Sequence, residues 1–97
     1  MSEVFKALAD PTRRRVLQLL RDRPMTAGEL ADQFPSSKAT MSAHFAVLRA
    51  ADLIIADKKG TTITYSLSLS VLEDALLAFA ETVGIGVAKT GSPEPTL

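Results

Sequence analysis

The chain has 97 residues, 46% of them hydrophobic, with eleven Lys/Arg against eleven Asp/Glu, no cysteine and one histidine. That length supports one small core. Disulfides, thiolate metal sites and thiol redox sensing are excluded without cysteine, and one histidine cannot build a His-rich metal site within a chain. No apolar run approaches the roughly 20 residues that span a bilayer. The start, Met1-Ser-Glu-Val-Phe-Lys6, shows no signal-peptide pattern, so a cytoplasmic protein is expected by default. Charge is uneven along the chain. Residues 36–60 hold four Lys/Arg against two Asp/Glu, and residues 61–97 hold one against four. Positive potential is therefore concentrated in the middle of the chain.

Taken in order, Val4, Phe5 and Leu8 fall at helical spacing, in a helix too short to be stable unless packed. Asp10-Pro11-Thr12 reads as a break and a restart. Asp10 can cap the next helix, and Pro11 fits its first turn, where a missing N–H costs nothing. That helix runs to Arg21 with Val16, Leu17, Leu19 and Leu20 inward, and Asp22-Arg23-Pro24 ends it. Thr26-Ala-Gly-Glu29 is a capping box that opens a third short helix, with Leu30, Ala31 and Phe34 inward and Pro35 closing it.

Ser36 and Ser37 form a turn, with Ser37 as the N-cap of a fourth helix. Met41, Phe45, Leu48 and Leu53 make its apolar stripe. The opposite side carries Lys38, Ala39, Ser42, Ala43, Ala46 and Arg49, where a plain solvated helix would show more Glu and Lys. Two short helices joined by a three- to four-residue turn make a helix-turn-helix, whose second helix enters the major groove. Small residues permit close approach, and hydroxyls with a few cations suit base edges and phosphates. Ser37, Lys38, Ala39, Thr40, Ser42 and Ala43 are the expected reading residues. Lys38 can reach a phosphate or a guanine edge, while Ala43 can only touch a thymine methyl, so readout is expected to be permissive. An ordinary core helix with a small-residue surface is the alternative for this segment alone.

After Leu53 the period drops from 3.6 to 2. Ile54 to Lys58 and Thr61 to Leu67 are β-branched and aromatic, with Lys59-Gly60 between them. Ile63, Tyr65 and Leu67 share one face, and Thr62, Thr64 and Ser66 the other. The pattern predicts a half-buried hairpin, a wing, whose tip residues Lys58, Lys59, Thr61 and Thr62 would touch the minor-groove edge or flanking backbone. Ser70 is expected to cap a last helix over residues 71–83, wet at Glu73, Asp74 and Glu81. Its stripe of Leu72, Leu76, Phe79 and Val83, widened by Val71, Ala75 and Ala78, is too apolar for one small core. It is expected to meet a second copy together with Val4, Phe5 and Leu8 of the first helix; packing wholly within one chain is the alternative. Residues 84–97 are expected to be a flexible tail beyond a domain of residues 1–83. The architecture so read is mainly α with a small β-hairpin, a winged helix-turn-helix in the order α-α-α-α-β-β-α.

Three segments carry a family resemblance: Phe5-Lys-Ala-Leu-Ala-Asp-Pro-Thr-Arg-Arg-Arg-Val-Leu-Gln-Leu-Leu20, Thr26-Ala-Gly-Glu-Leu-Ala31 and Ser42-Ala-His-Phe-Ala-Val-Leu-Arg-Ala-Ala-Asp-Leu-Ile54. In that order they resemble the ArsR (arsenic-repressor-like) family of transcriptional repressors over about residues 4–80, and Thr26 to Ala31 is similar to its SdpR-like autorepressor branch. The resemblance implies a homodimer whose recognition helices enter successive major grooves of near-palindromic double-stranded operator DNA, with half-sites roughly 34–36 Å apart. It also implies that repression follows from occupying the promoter.

The departures carry as much information. Where arsenic- and cadmium-type members have Cys-x-Cys, this chain has Thr26 and Gly28; where zinc- and nickel-type members have Asp and His on the last helix, it has Glu73, Asp74 and Glu81 without a histidine. Carboxylates alone are poor ligands for soft metals. No metal, cofactor or thiol sensor is therefore expected. The branch resemblance implies relief by a membrane or other protein anti-repressor, with a small apolar ligand between the last helices as the alternative. His44 occupies the family's near-fixed histidine position and is expected to be partly buried, holding the helix or a phosphate. Phe45 replaces the usual Leu. Asp52 replaces the usual Gly, which it can do in a left-handed conformation at some cost. Arg13 is expected to lie along the core in an ion pair, leaving Arg14 or Arg15 for phosphate or solvent. A winged-helix protein–protein interaction module that does not bind DNA is the competing reading, against which the basic wing and the small-residue face argue. An enzyme is not expected, for no convergent carboxylate pair or glycine-rich phosphate loop is present.

Overall fold

A computed structural model describes residues 2–86. Its elements are α1 (Ser2–Leu8), α2 (Pro11–Asp22), β1 (Met25–Thr26), α3 (Ala27–Ala31), α4 (Lys38–Ala50), β2 (Ile54–Lys59), β3 (Thr62–Leu67) and α5 (Leu69–Val83). The winged helix-turn-helix order holds, with one strand more than the sequence suggests. β1 pairs antiparallel with β3, Met25 opposite Tyr65 and Thr26 opposite Thr64, so the sheet runs β1-β3-β2 with β3 in the centre. Two residues are too few to show an alternation, which is why no periodicity announces β1.

Two other boundaries differ from the sequence reading. α5 starts at Leu69, so Ser70 lies inside its first turn, and Ser68 at the cap position makes no side-chain capping bond. The cause lies in the sheet: the ladder ends at Ile54 opposite Leu67, and the Ser68 N–H donates to the Leu53 carbonyl at 2.9 Å, so the helix begins at once. α3 ends at Ala31 rather than continuing to Phe34, because residues 32–34 tighten into turns with Gln33 and Phe34 donating to Leu30 and Ala31. The connection into α4 is thus longer than three or four residues. The expected tail falls largely on residues 87–97, outside the described residues.

Local capping sets the starts of α2, α3 and α4. Asp10 accepts the Arg13 N–H at 3.1 Å, with Pro11 in the first turn of α2. Thr26 and Glu29 form the reciprocal capping box, Thr26 N to Glu29 Oε1 at 2.8 Å and Glu29 N to Thr26 Oγ1 at 3.1 Å. Ser37 accepts the Thr40 N–H at 3.1 Å and opens α4. At the other end of α4, Leu53 N–H reaches the Leu48 carbonyl and Asp52 N–H the Arg49 carbonyl, with Asp52 left-handed at φ 58°. These are the two bonds of a Schellman stop. It turns the chain sharply so that β2 leaves α4 along the core.

α1 ends differently, on side chains from α2. Arg13 donates through Nε to the Ala7 carbonyl at 2.9 Å and through Nη2 to the Lys6 carbonyl at 3.0 Å, while Arg14 Nη1 donates to the Leu8 carbonyl at 2.7 Å. Guanidiniums here satisfy carbonyls that a helix end leaves without intrahelical partners. This is not the ion pair expected for Arg13: the nearest claims on its donors are backbone oxygens and a histidine. The core collects Val16 and Leu20 of α2, Leu30 of α3, Met41, Phe45 and Leu48 of α4, and Leu53, Ile54 and Tyr65 around the sheet, all buried.

Two predictions test these local devices. Replacing Asp52 with β-branched Val should cost about 1–2 kcal/mol in denaturant unfolding, since left-handed backbone opposes a Cβ branch, whereas Asp52→Gly should stay within about 1 kcal/mol of the parent. The Arg13 N–H holds the Asp10 carboxyl below its ordinary value, and the Thr26 N–H does the same for Glu29. Carboxyls depressed in the fold contribute stability that is complete above their unfolded values, about 4, and is lost as pH falls through the folded ones. Melting temperature should therefore drop as pH goes below about 4, and combined Asp10→Asn and Glu29→Gln should flatten that drop.

Candidate nucleic-acid interface

α4 separates its two faces cleanly. Met41, Phe45 and Leu48 are buried, while Ser37, Lys38, Ala39, Thr40, Ser42, Ala43, Ala46 and Arg49 are all exposed. No Asp or Glu occurs between Asp32 and Asp52. The exposed side of α4 thus presents methyls, hydroxyls and two cations to solvent. Ser37 Oγ lies 3.0 Å from Thr40 Oγ1 while accepting the Thr40 N–H. If Ser37 donates in that contact, the Thr40 hydroxyl proton stays free to face outward.

The hairpin packs on α4 through β2. Lys59 pairs with Thr62, leaving Gly60-Thr61 as a two-residue loop with Gly60 at φ 61°. A glycine at the first loop position with positive φ lets the strands keep their right-handed twist. Lys58, Lys59 and Thr61 are exposed at this end. The hairpin is anchored to α4 through Phe45 and Tyr65, whose ring centroids lie 5.1 Å apart, a tilted aromatic pair at the root of the wing. The two basic surfaces are thereby held in a fixed relation.

His44 departs from its neighbours on α4. Its side chain is only 17% exposed, and its Nδ1 lies 3.1 Å from Arg13 Nη1 and 4.0 Å from Asp10 Oδ2. The shorter contact decides the tautomer: a guanidinium can only donate, so Nδ1 accepts and the imidazole proton sits on Nε2. His44 therefore keeps one donor for a second partner while its other nitrogen is tied to the α1–α2 junction. The partly buried histidine expected from the sequence is found, but its partner lies 31 residues away, a link that no local spacing signals.

The residues expected at a second-copy interface divide. Leu76, Phe79 and Val83 are 46%, 49% and 51% exposed, a run of large apolar side chains on one side of α5. Phe5 is half-buried against Phe79, ring centroids 5.1 Å apart. Leu8 and Leu72 are half-buried against the core, and Val4 turns inward to become part of it, which leaves Phe5 as the α1 side chain beside the exposed stripe. Arg13, Asp10 and Arg14 are the participants that sequence reasoning did not bring together. Their signal was present only as an Asp-Pro-Thr-Arg-Arg run whose capping role is legible and whose reach to α4 is not.

Comparison with known proteins agrees with this geometry. A helix-turn-helix domain family matches residues 8–55. The chain is similar to the transcriptional repressor SdpR of Bacillus subtilis, 46% identical over 76 residues that span 78% of this chain and 84% of that protein. The crystal structure of an ArsR family transcriptional regulator, RHA00566, superposes with a TM-score of 0.79 at 31% identity, covering 86% of this chain and 91% of that one. NolR from Sinorhizobium fredii superposes with a TM-score of 0.67 at 32% identity, over 88% of this chain and 85% of NolR. The chain belongs to the ArsR family of winged-helix transcriptional regulators, a family of DNA-binding proteins and not of enzymes.

Proposed function

We propose that this chain is a homodimeric transcriptional repressor, without a metal or thiol sensor of its own, that reads a near-palindromic operator through α4. The observation that carries the reading is the exposed side of α4, where Lys38, Ala39, Thr40, Ser42 and Ala43 stand free of any carboxylate while the opposite side is core. In this reading Lys38 and Ser37 contact phosphates, Thr40, Ser42 and Ala43 face base edges, and His44 donates from Nε2 to a phosphate oxygen. Lys58, Lys59 and Thr61 of the hairpin contact flanking backbone. The exposed Leu76, Phe79 and Val83, with Phe5, form the contact between copies. The domain in this reading is residues 1–83, a limit supported by α5 supplying both buried Ala75 and Ala80 and the exposed stripe.

With no cysteine and one histidine in the chain, relief of repression falls to a protein anti-repressor, in a membrane or free, or to an organic ligand. Among the described residues no helix is long and apolar enough to cross a membrane; a repressor of this kind works in the cytoplasm, where the DNA is.

Titration of the chain's own upstream DNA across a salt series should show selective binding that weakens steeply with salt. Lys38→Ala with Lys59→Ala should shallow the log–log slope by about one per lost phosphate contact. Absence of selective binding at every salt concentration would end the repressor reading. Leu76→Glu should sediment as a monomer, and a variant that stays dimeric would move the interface elsewhere. Zinc or arsenite should leave operator affinity unchanged, and a large shift with either would reinstate a metal sensor.

A further inference from the structure

A groove of about 780 Å³ runs between the outer side of α2 and the β3–α5 junction. None of the residues that line it belongs to α4 or to the hairpin tip, so it is separate from the surface assigned to DNA. Its floor is apolar, Leu8, Leu17, Leu67 and Leu72, with the exposed Leu69 at its edge. Its rim on α2 carries Arg14, Arg15 and Arg21, and no carboxylate lines it. Arg14 and Arg21 are seven residues apart on one helix, roughly 10 Å along its axis. Among the described residues the ion pairs are Arg23–Glu29 and His44–Asp10, so none of the three rim guanidiniums meets a carboxylate within the fold.

An apolar floor edged on one side by cations without counter-charges is complementary to a molecule with a hydrocarbon tail and an anionic head. The volume falls within the few hundred to about 1,000 Å³ typical of small-ligand sites, whereas a stable protein contact needs an area on the order of 1,200 Å² or more. We propose that the groove binds a free single-chain anionic amphiphile of the fatty-acid class, its carboxylate on the α2 arginines and its chain along the leucine floor, and that occupancy weakens operator binding. The second half follows from where the head group sits. Arg14 already donates to the Leu8 carbonyl through Nη1 at 2.7 Å, and an anion seated on the other donors of its guanidinium draws the group towards the groove and away from that carbonyl. The adjacent Arg13 holds the Lys6 and Ala7 carbonyls and His44 together, so a loosened end of α1 reaches the helix that reads DNA. Binding in the groove stands apart from the repressor reading; its effect on the operator rests on it.

The test uses sodium laurate below its micelle concentration, with the full chain and no DNA, followed by calorimetry and amide NMR. Laurate should saturate at one molecule per chain and shift amides of α2 and of residues 67–72. Lauroylcholine, with the same tail and a cationic head, should bind at least tenfold more weakly, and vesicles of phosphatidylglycerol should sediment without the protein. Arg21→Gln with Leu69→Gln, both exposed positions, should keep the parent's melting temperature and its operator affinity without laurate, yet bind laurate at least tenfold more weakly. In a DNA titration, saturating laurate should weaken parent binding at least fivefold and leave that variant unaffected. Failure of laurate to saturate, equal binding of lauroylcholine, shifts centred on residues 76–83, undiminished binding by the folded variant, or uptake onto vesicles alone would each overturn the site. Laurate binding with operator affinity unchanged would overturn its regulatory half. A chain that binds laurate as described but selects no DNA would remove the repressor reading and leave the groove standing, and selective DNA binding without laurate uptake would do the reverse.

Discussion

Seven residues of isolated helix do not hold together in water, and the placement of α1 depends on how it ends. The Arg13 and Arg14 guanidiniums close over the carbonyls of Lys6, Ala7 and Leu8, doing with side chains what a longer helix does with its own N–H groups. Arg13 also reaches His44 of α4 through Nη1. One side chain thus joins α1, the α2 helix that supplies it, and α4. Asp10 underpins the arrangement by capping α2, so the backbone that carries Arg13 starts in a defined place.

Core packing decides which side of α4 faces outward. Burial of Met41, Phe45 and Leu48 is worth roughly 1.5–3 kcal/mol for each side chain, and a rotation of α4 that exposed them would forfeit most of it. The exposed side of α4 owes its orientation to this, since Ser42, Ala43 and Lys38 have little packing energy of their own. Phe45 extends the same constraint to the hairpin through Tyr65, so the two cationic surfaces move together. Charge is divided between two of the helices: α4 carries Lys38 and Arg49 and no carboxylate, whereas α5 carries Glu73, Asp74 and Glu81 and no cation.

α5 serves two environments along one stripe. Its first turns, Leu69 and Leu72, edge the groove beside α2, and Leu72 also packs on the core. Its later turns, Leu76, Phe79 and Val83, stand exposed, and Phe79 rests on Phe5. A helix with more apolar surface than one small core can cover is what a protein needs when one side must hold the fold and the other must meet something else.

What the sequence determined by itself is whatever acts within a few residues. The Asp10 cap and Pro11, the Thr26–Glu29 box, the Ser37 cap, the two faces of α4, the alternation of Ile63, Tyr65 and Leu67 and the glycine at the hairpin tip are all local hydrogen bonds or periods. Even the left-handed Asp52 was foreshadowed, because few residues other than glycine accept that backbone. Tertiary structure alone decided the rest. β1 exists because β3 offers it an edge, not because two residues prefer a strand. α5 begins early because Ser68 is claimed by Leu53, and Val4 faces inward because α1 is pulled onto the core by its end. The contact of Arg13 with His44 joins positions whose separation matches no helical or strand repeat. Only the packing of α1, α2 and α4 brings those two side chains within 3.1 Å.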